Sequence, residues 1–264
     1  MEQTFSLLLR YSRILNTDAD RRARWLDILT HLPGYKVIQP TKNPNQGLPV
    51  FAKNEDGWDL PAHLIQMHAL YPCEVMDLDS DPDTLQIARN TIYYYGVSQN
   101  GLTGTMNELG LSAFVMGARA GFSPDILVEK MKQLIASARP NFLITDGHHC
   151  LEKTAVVETI NSMMLQSTRG VLRLFPNWLS RPASFTRLRA KGAYLVTAAY
   201  DGQQVTHCQI QATHADTCRL RNPWPGRGVR VTDQRNGRDV ATTEAHGVIS
   251  FAAQAGHSYQ IQQH

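Results

Sequence analysis

Cysteine and long apolar runs are both scarce in this sequence. Only four of the 264 residues are cysteine, namely Cys73, Cys150, Cys208 and Cys218. No pair has the CxxC spacing of a zinc knuckle or a thioredoxin-type site, so we expect reduced, partly buried thiols. Cys208 and Cys218 can approach across a hairpin, but spacing alone does not fix their register. No apolar stretch approaches the roughly 20 residues of a transmembrane helix, so we expect no membrane span.

The sequence also lacks a large excess of positive or negative charge. The formal net charge is +3, which is too small to indicate a nucleic-acid partner. The short basic runs at 21–24 and 187–191 are typical of solvated faces. The sequence contains no GxSxG, P-loop, GxGxxG or HExxH motif, so it gives no indication of the serine hydrolases, nucleotide-binding proteins and zinc proteases that carry them.

Residues 1–168 have the spacing and punctuation of helices. One apolar face is predicted from Phe5, Leu8, Leu9 and Leu15, and a second from Trp25, Ile28, Leu29 and Leu32. Asp81-Pro82 and Ser123-Pro124 each pair a capping residue with a first-turn proline. Residues 107–121 predict a helix of small residues, and residues 153–167 one with a stripe of Val156, Ile160, Met163 and Met164. About six helices at hairpin-like spacing favour a ring of antiparallel hairpins, of which three hairpins form only a part.

Residues 169–264 have a different period. Short segments alternate between apolar and polar residues, and turn pairs such as Asp201-Gly202 and Asn236-Gly237 separate them. The pattern predicts an antiparallel β-module that resembles a sandwich. We therefore predict a mainly α chain with a C-terminal β domain, divided into 1–168 and 169–264, and no strands among the first five helices.

The stretch TDGHHCLEK at 145–153 concentrates the reactive side chains. Asp146 lies at a glycine turn before a helix, where it can act as a general base or cap the turn. Glu152 lies near the start of that helix, where the dipole favours a carboxylate for structural reasons as well. His148, His149 and Cys150 resemble zinc ligands, but adjacent residues seldom all face one metal. We therefore expect no metal and no cofactor, and assign the two histidines to hydrogen bonding with hydroxyl groups.

Several stretches together resemble the C-terminal portion of six-hairpin glycosidases, in particular the inverting α-L-fucosidases of glycoside hydrolase family 95. The resemblance is carried by these five stretches: DLPAHLIQMHALYPCEV, ETINSMMLQS, GVLRLFPNW, ASFTRLRAKGAYLV and CRLRNPW. It implies a partial (α/α)6 toroid followed by a β-sandwich-like domain. It also implies hydrolysis of glycosidic bonds in an oligosaccharide or polysaccharide, with α-L-fucosides or α-L-galactosides as substrates. No nucleic acid or membrane partner is implied.

The resemblance also assigns individual residues. Asp146-Gly147 matches the first two positions of the family's Asp-Gly-Asn turn, whose aspartate supports the catalytic base, while His148 replaces the asparagine. Glu152 lies in Leu-Glu-Lys, which resembles the Ile-Glu-Asn of some relatives, so it is a second candidate carboxylate. His63 takes the position of a sugar-contacting histidine, and Ala62 replaces the family's arginine. Trp58, like Tyr71, Phe175 and Trp178, offers a face for stacking on a sugar, although aromatic residues are more often part of a core.

The family's general acid lies further upstream of Asp146 than this chain extends, and no residue here matches it. We therefore expect the C-terminal part of a larger enzyme, inactive in isolation and able to self-associate through an open helical flank. The alternative is a non-catalytic fragment that binds carbohydrate or is purely structural. The first residues lack a signal-peptide pattern, whereas the full-length family form is expected to be secreted or periplasmic.

Overall fold

The computed structural model describes residues 1–40, 47–52, 64–98, 107–136 and 155–264. Within these ranges the N-terminal part has six α-helices: α1 Glu2–Ile14, α2 Arg22–Thr30, α3 Pro82–Thr91, α4 Asn107–Ala120, α5 Pro124–Ala136 and α6 Ala155–Met164. Short 3-10 turns occupy Ala19–Arg21 and Ile65–Met67, and a π-helical segment, Ile92–Ser98, extends α3. In the part of the chain that the structure describes, no helix is long and apolar enough to cross a membrane.

Helices α1 and α2 pack side by side as a hairpin. Arg22 closes it by donating to the Ser12 hydroxyl at 2.9 Å and to the Ser12 carbonyl at 2.7 Å. The inward face of α1 carries Leu9 and Ser12, both buried, with Phe5 half-buried. The predicted face is wrong for Leu8 and Leu15, which are exposed. The spacing of apolar residues predicted an apolar face on α1, but it did not predict which side of that face is buried.

Helices α3 to α6 share one apolar core. Asp81 caps α3, where its carboxylate accepts from the Thr84 N–H at 2.8 Å, as Asp81-Pro82 predicts. The small residues of α4 allow close packing, because a Cβ on Gly117 would lie 2.9 Å from Leu127 of α5. The predicted stripe of α6 is wrong at Ile160, which is exposed, while Thr159 and Ser162 are buried instead.

One pair of strands interrupts the helical part. Strand β1, Val37–Ile38, pairs antiparallel with β2, Val50–Phe51, between α2 and α3. The expectation of no strands among the first helices is therefore wrong. The Phe51 N–H donates to the Thr91 hydroxyl of α3 at 2.9 Å, which anchors the pair to the core. Two-residue strands are too short to produce an alternating pattern.

The C-terminal part is an antiparallel β-module. A short pair of strands, β3 Leu165–Gln166 and β4 Arg173–Leu174, follows α6 directly. The longer strands are β5 Pro182–Ala190, β6 Tyr194–Asp201, β7 Val205–Ala212, β8 Asp216–Arg221 and β9 Val229–Asp233. Four more complete the module: β10 Arg238–Asp239, β11 Thr242–Ala245, β12 Val248–Ala253 and β13 Ser258–Gln263.

These strands form a six-stranded sheet in the order β10-β9-β13-β7-β6-β5 and a three-stranded sheet in the order β11-β12-β8. Side chains from both sheets, such as Ile210 and Tyr259 from the first and Leu220 and Phe251 from the second, make one buried core. The predicted β-module is confirmed, and its two sheets pack as a sandwich. Cys218 lies in this core, where burial raises the pKa of its thiol to about 12.

Candidate functional site

The six residues assigned to catalysis and substrate binding lie outside the described residues: Trp58, His63, Asp146, His148, His149 and Glu152. Their roles and mutual geometry therefore stay predictions. The structure does describe the segments that adjoin them, from Leu64 onward on one side and from Ala155 of α6 onward on the other. Both segments pack against the β-module.

Arg119 near the end of α4 joins three parts of the helical core. Its Nη1 donates to Glu74 Oε1 at 2.7 Å, and its Nη2 donates to Glu158 Oε1 of α6 at 2.9 Å. The guanidinium also lies over the ring of Tyr71, 5.0 Å from the centroid. Because the Arg119 side chain is only 11% exposed, these contacts are little screened by water. One arginine thus fixes α6 against the segment that follows Leu64.

Glu74 extends this network into the β-module. Its second oxygen accepts from the Lys191 ammonium, in the turn between β5 and β6. Burial of Glu74 acts to raise its pKa, but the hydrogen bonds from Lys191 and Arg119 outweigh burial and hold the pKa below its ordinary value. Glu74 therefore carries a negative charge at neutral pH. This charge pairs with Arg119 of α4 and with Lys191 in the turn between β5 and β6.

A second ionic cluster lies beside the first. Arg173 of β4 pairs with Asp77 at 3.2 Å and with Asp79, and Arg221 of β8 also pairs with Asp79. Asp77 is the most buried of these carboxylates, with a side chain only 2% exposed. Burial acts to raise the pKa of Asp79, yet hydrogen bonds from Arg221 and Arg173 lower it overall. The loop after Tyr71 is thus held by two strands of the β-module.

Neutral hydrogen bonds reinforce the interface. The Asn177 amide donates to the Phe122 carbonyl at 2.9 Å, and the Gln166 amide donates to the Ala118 carbonyl of α4 at 3.2 Å. Leu172 exchanges backbone hydrogen bonds with strand β8, at 2.8 Å each. The helical part and the β-module are therefore joined by paired charges and by amide hydrogen bonds to backbone carbonyls.

Sequence reasoning missed these interface residues. Glu74 lies in the stretch LYPCEV, and Arg173, Lys191 and Arg221 lie in three of the other stretches that carry the resemblance. Glu74 and Lys191 are 117 positions apart, so no local periodicity connects them. Composition gives a weak signal only for Arg173, which is the single charged residue in the stretch GVLRLFPNW.

A polar cleft of about 420 Å³ opens at this interface, between α6 and the end of β5. Arg119, Glu74 and Lys191 form one side of it. Within the described ranges, no group of three or more His, Cys, Asp or Glu side chains is arranged to hold a metal ion. His148, His149 and Cys150 lie outside those ranges, so the expectation of no metal stays a prediction.

The described fold is a helical part held by ion pairs against a C-terminal antiparallel sandwich. The sandwich is similar to a known domain family. Residues 166–261, from β3 into β13, match the family described as glycoside hydrolase family 95, C-terminal domain. Over these residues the match confirms the resemblance read from the sequence, and the C-terminal module is similar to that glycoside hydrolase domain. No curated protein matches the chain.

Proposed function

We propose that this chain forms one wall of the active site of an inverting glycoside hydrolase that acts on α-L-fucosides or α-L-galactosides. One observation supports the proposal above the others. The module that matches family 95 is tied by Glu74, Arg119 and Glu158 to the two segments that adjoin the predicted residues. The stretch 145–153 precedes α6, whose first turns include Glu158, and His63 precedes the segment that carries Glu74.

In this proposal Asp146 supports the catalytic base, and Glu152 shares that carboxylate role. His63, His148 and His149 donate to or accept from sugar hydroxyls, and Trp58 stacks on the apolar face of the ring. An inverting mechanism places a water molecule between base and sugar, which requires the acid and base to stand about 6.5–9.5 Å apart. Two carboxylates in one short stretch therefore serve the base side, and the acid belongs to another segment.

Helices α1 to α6 are proposed to be part of an (α/α)6 toroid, with the predicted residues around the concave end of the helices. The α1–α2 hairpin and the close packing of α4 against α5 and α6 support antiparallel helical neighbours. With the division at residue 168, α1–α6 belong to the toroid portion, and the ten described strands β4–β13 belong to the β domain.

Hydrolysis by the chain alone is not expected, because no residue matches the family's general acid. A sensitive assay with aryl α-L-fucosides and α-L-galactosides tests this directly. Turnover that is abolished in Asp146→Asn would contradict the expectation and identify a complete enzyme.

Sugar binding tests the proposed wall independently of turnover. Saturation-transfer NMR with methyl α-L-fucoside should show binding to the native chain, weakened about tenfold in Asp146→Asn through loss of a charge-assisted hydrogen bond to a hydroxyl. Asp239→Asn, an exposed carboxylate on β10, is the matched control and should leave binding unchanged. Binding that is absent, or equal in all three proteins, would contradict the proposal. Binding without a role for Asp146 or Glu152 would instead favour the non-catalytic alternative.

A further inference from the structure

The cleft at the interface carries polar groups that the ionic network does not use. Its volume is about 420 Å³, and its polar lining includes Glu158, Asn161, Gln166, Ser167, Arg189 and Lys191. Leu165, Leu188 and Ala190 supply apolar surface to the same cleft. A volume of this order lies within the range of small-ligand sites, which often occur where domains meet.

We propose that this cleft is a second carbohydrate subsite, which binds a neutral sugar unit through neighbouring hydroxyl groups. It is separate in sequence from the stretch 145–153, and it rests on the proposed function only in taking carbohydrate as the ligand class. The proposal depends on three features: unused acceptors and donors, a lining with only one surplus charge, and a rigid frame.

The unused groups converge from α6 and its C-terminal end. Glu158 Oε1 accepts from Arg119 at 2.9 Å and from the Ser162 hydroxyl at 3.1 Å, whereas Oε2 accepts no hydrogen bond from another described residue. Asn161, one turn from Glu158, has no hydrogen-bond partner in the described ranges, so its amide offers both a donor and an acceptor. A carboxylate oxygen beside a free amide can bind two adjacent hydroxyls, one as donor and one as acceptor.

The charges favour a neutral ligand. Three cations, Arg119, Arg189 and Lys191, and two carboxylates, Glu74 and Glu158, line the cleft. Arg119 and Lys191 are already paired with the carboxylates, which leaves only Arg189 in excess. One surplus cation on the rim provides little attraction for a phosphate or a polyanion, while its guanidinium still donates to hydroxyls.

The frame of the cleft is fixed before a ligand arrives. The Gln166 amide nitrogen donates to the Ser162 carbonyl at 2.9 Å and to the Ala118 carbonyl at 3.2 Å, so its side chain is locked. The Ser167 hydroxyl accepts from the Lys191 N–H at 3.1 Å, which holds the rim of β5 against the end of α6. A preformed frame reduces the entropy lost on binding, so a small ligand is bound without closure of a loop.

Backbone-amide NMR with methyl α-L-fucoside as the probe tests the subsite. We expect chemical-shift changes at 158–168 and 188–191, and an apparent Kd about fivefold higher in Asn161→Ala, the effect of one lost neutral hydrogen bond. Gln209→Ala, on the outer face of the six-stranded sheet, is the matched control and should bind normally. An unchanged Tm for each variant shows that the fold is retained.

The other outcomes separate this proposal from the proposed function. Shifts confined to 145–153 and abolished in Asp146→Asn would support the active-site wall and overturn the second subsite. Shifts at 158–168 that persist in Asp146→Asn, with none at 145–153, would support the subsite and overturn the wall. Shifts at 158–168 caused equally by sodium phosphate would show an anion site and overturn the assignment of a neutral sugar.

Discussion

Arg173 and Arg230 hold ion pairs in very different surroundings. Arg173 is 4% exposed and its partner Asp77 is 2% exposed, whereas Arg230 and Asp239 are each more than half exposed. Exposed pairs contribute little, because water screens them and long side chains lose entropy. Removal of one partner from a buried pair leaves an uncompensated charge in a medium of low polarity. Burial, rather than the number of ion pairs, decides which arginines stabilise this fold.

We predict that Arg173→Met destabilises the protein by about 3 kcal/mol, because Asp77 then remains buried with only the exposed Arg169, at 3.8 Å, as a counter-ion. Arg230→Met is the matched control and should leave the urea midpoint unchanged. The double variant Arg173→Met/Asp77→Asn should recover part of the loss, since the orphaned charge is removed as well. Equal midpoints for the two arginine variants would show that the buried cluster contributes nothing to stability.

The charge on Glu74 makes the interface sensitive to acid. Its folded-state pKa is lowered from the ordinary value of 4.5, so its stabilising contribution is fully present above that value and is lost as the pH falls through the folded-state pKa. Glu74→Gln should therefore lower the Tm at pH 7, and its deficit relative to the native chain should shrink below about pH 4.5.

Thermal unfolding between pH 7 and pH 3 measures this difference. Glu129→Gln, an exposed residue on α5, is the control and should follow the native curve throughout. A Glu74→Gln deficit that stays constant across this range would refute the ionic role of Glu74.

At the scale of elements, capping and turn residues predicted the secondary structure better than the spacing of apolar residues did. The Asp81-Pro82 cap and the turns at Gly202 and Gly237 follow from backbone requirements that one or two residues satisfy, and the structure has them. Strand β5 lacks a regular alternation, because its register shifts between Phe185 and Leu188. The predicted buried face of α6 was wrong because Arg119 pairs with polar residues on that face. An ion pair between distant segments does not change the spacing of apolar residues in the sequence.

Helix α4 provides a test of close packing. An alanine at Gly117 gains about 1 kcal/mol in helix propensity but places its Cβ 2.9 Å from the buried Leu127. Overpacking typically costs about 1–3 kcal/mol, so we predict a net destabilisation of about 1 kcal/mol in urea unfolding. Combination with Leu127→Val should cost less than the two single changes added together, because the smaller side chain makes room. A more stable Gly117→Ala protein would show that α4 and α5 are less tightly packed than described.

At the scale of the whole molecule, one helical face lacks a cover within the described residues. Leu7, Leu8, Tyr11, Ile14 and Leu15 share an edge of α1 and are between 36% and 67% exposed. Together they present roughly 500 Å² of apolar surface, comparable with the largest patch on a typical monomer. Arg10 borders this edge, where its guanidinium lies over the Tyr11 ring, 5.9 Å from the centroid.

We predict that the chain self-associates through this edge of α1. Sedimentation velocity over a concentration series should show a dimer or larger species, and Leu8→Glu/Ile14→Glu should shift it to monomer. Ser6→Glu, an exposed residue on the opposite side of the same helix, is the control and should leave association unchanged. A native chain that is monomeric at every concentration would show that the open flank does not drive association.

The resemblance of the C-terminal module to family 95 could be predicted from the sequence, whereas the charged contacts between that module and the helices could not. The match at 166–261 confirms what the stretches LQSTRG and LRAKGA indicated. The contacts of Arg119 with Glu74 and Glu158 span 45 and 39 positions, and only folding brings these residues together. The stretch 145–153 was recognisable because its residue types are unusual for a scaffold, and it lies outside the described residues.

The central claim is that His63 and the stretch 145–153 face one sugar from the same concave surface. Photoaffinity labelling with a fucose-configured diazirine probe, followed by peptide mass spectrometry, tests it most directly. We predict labels in both 58–63 and 145–153, and competition of both by methyl α-L-fucoside. Labels in only one of these segments, or in neither, would contradict the claim.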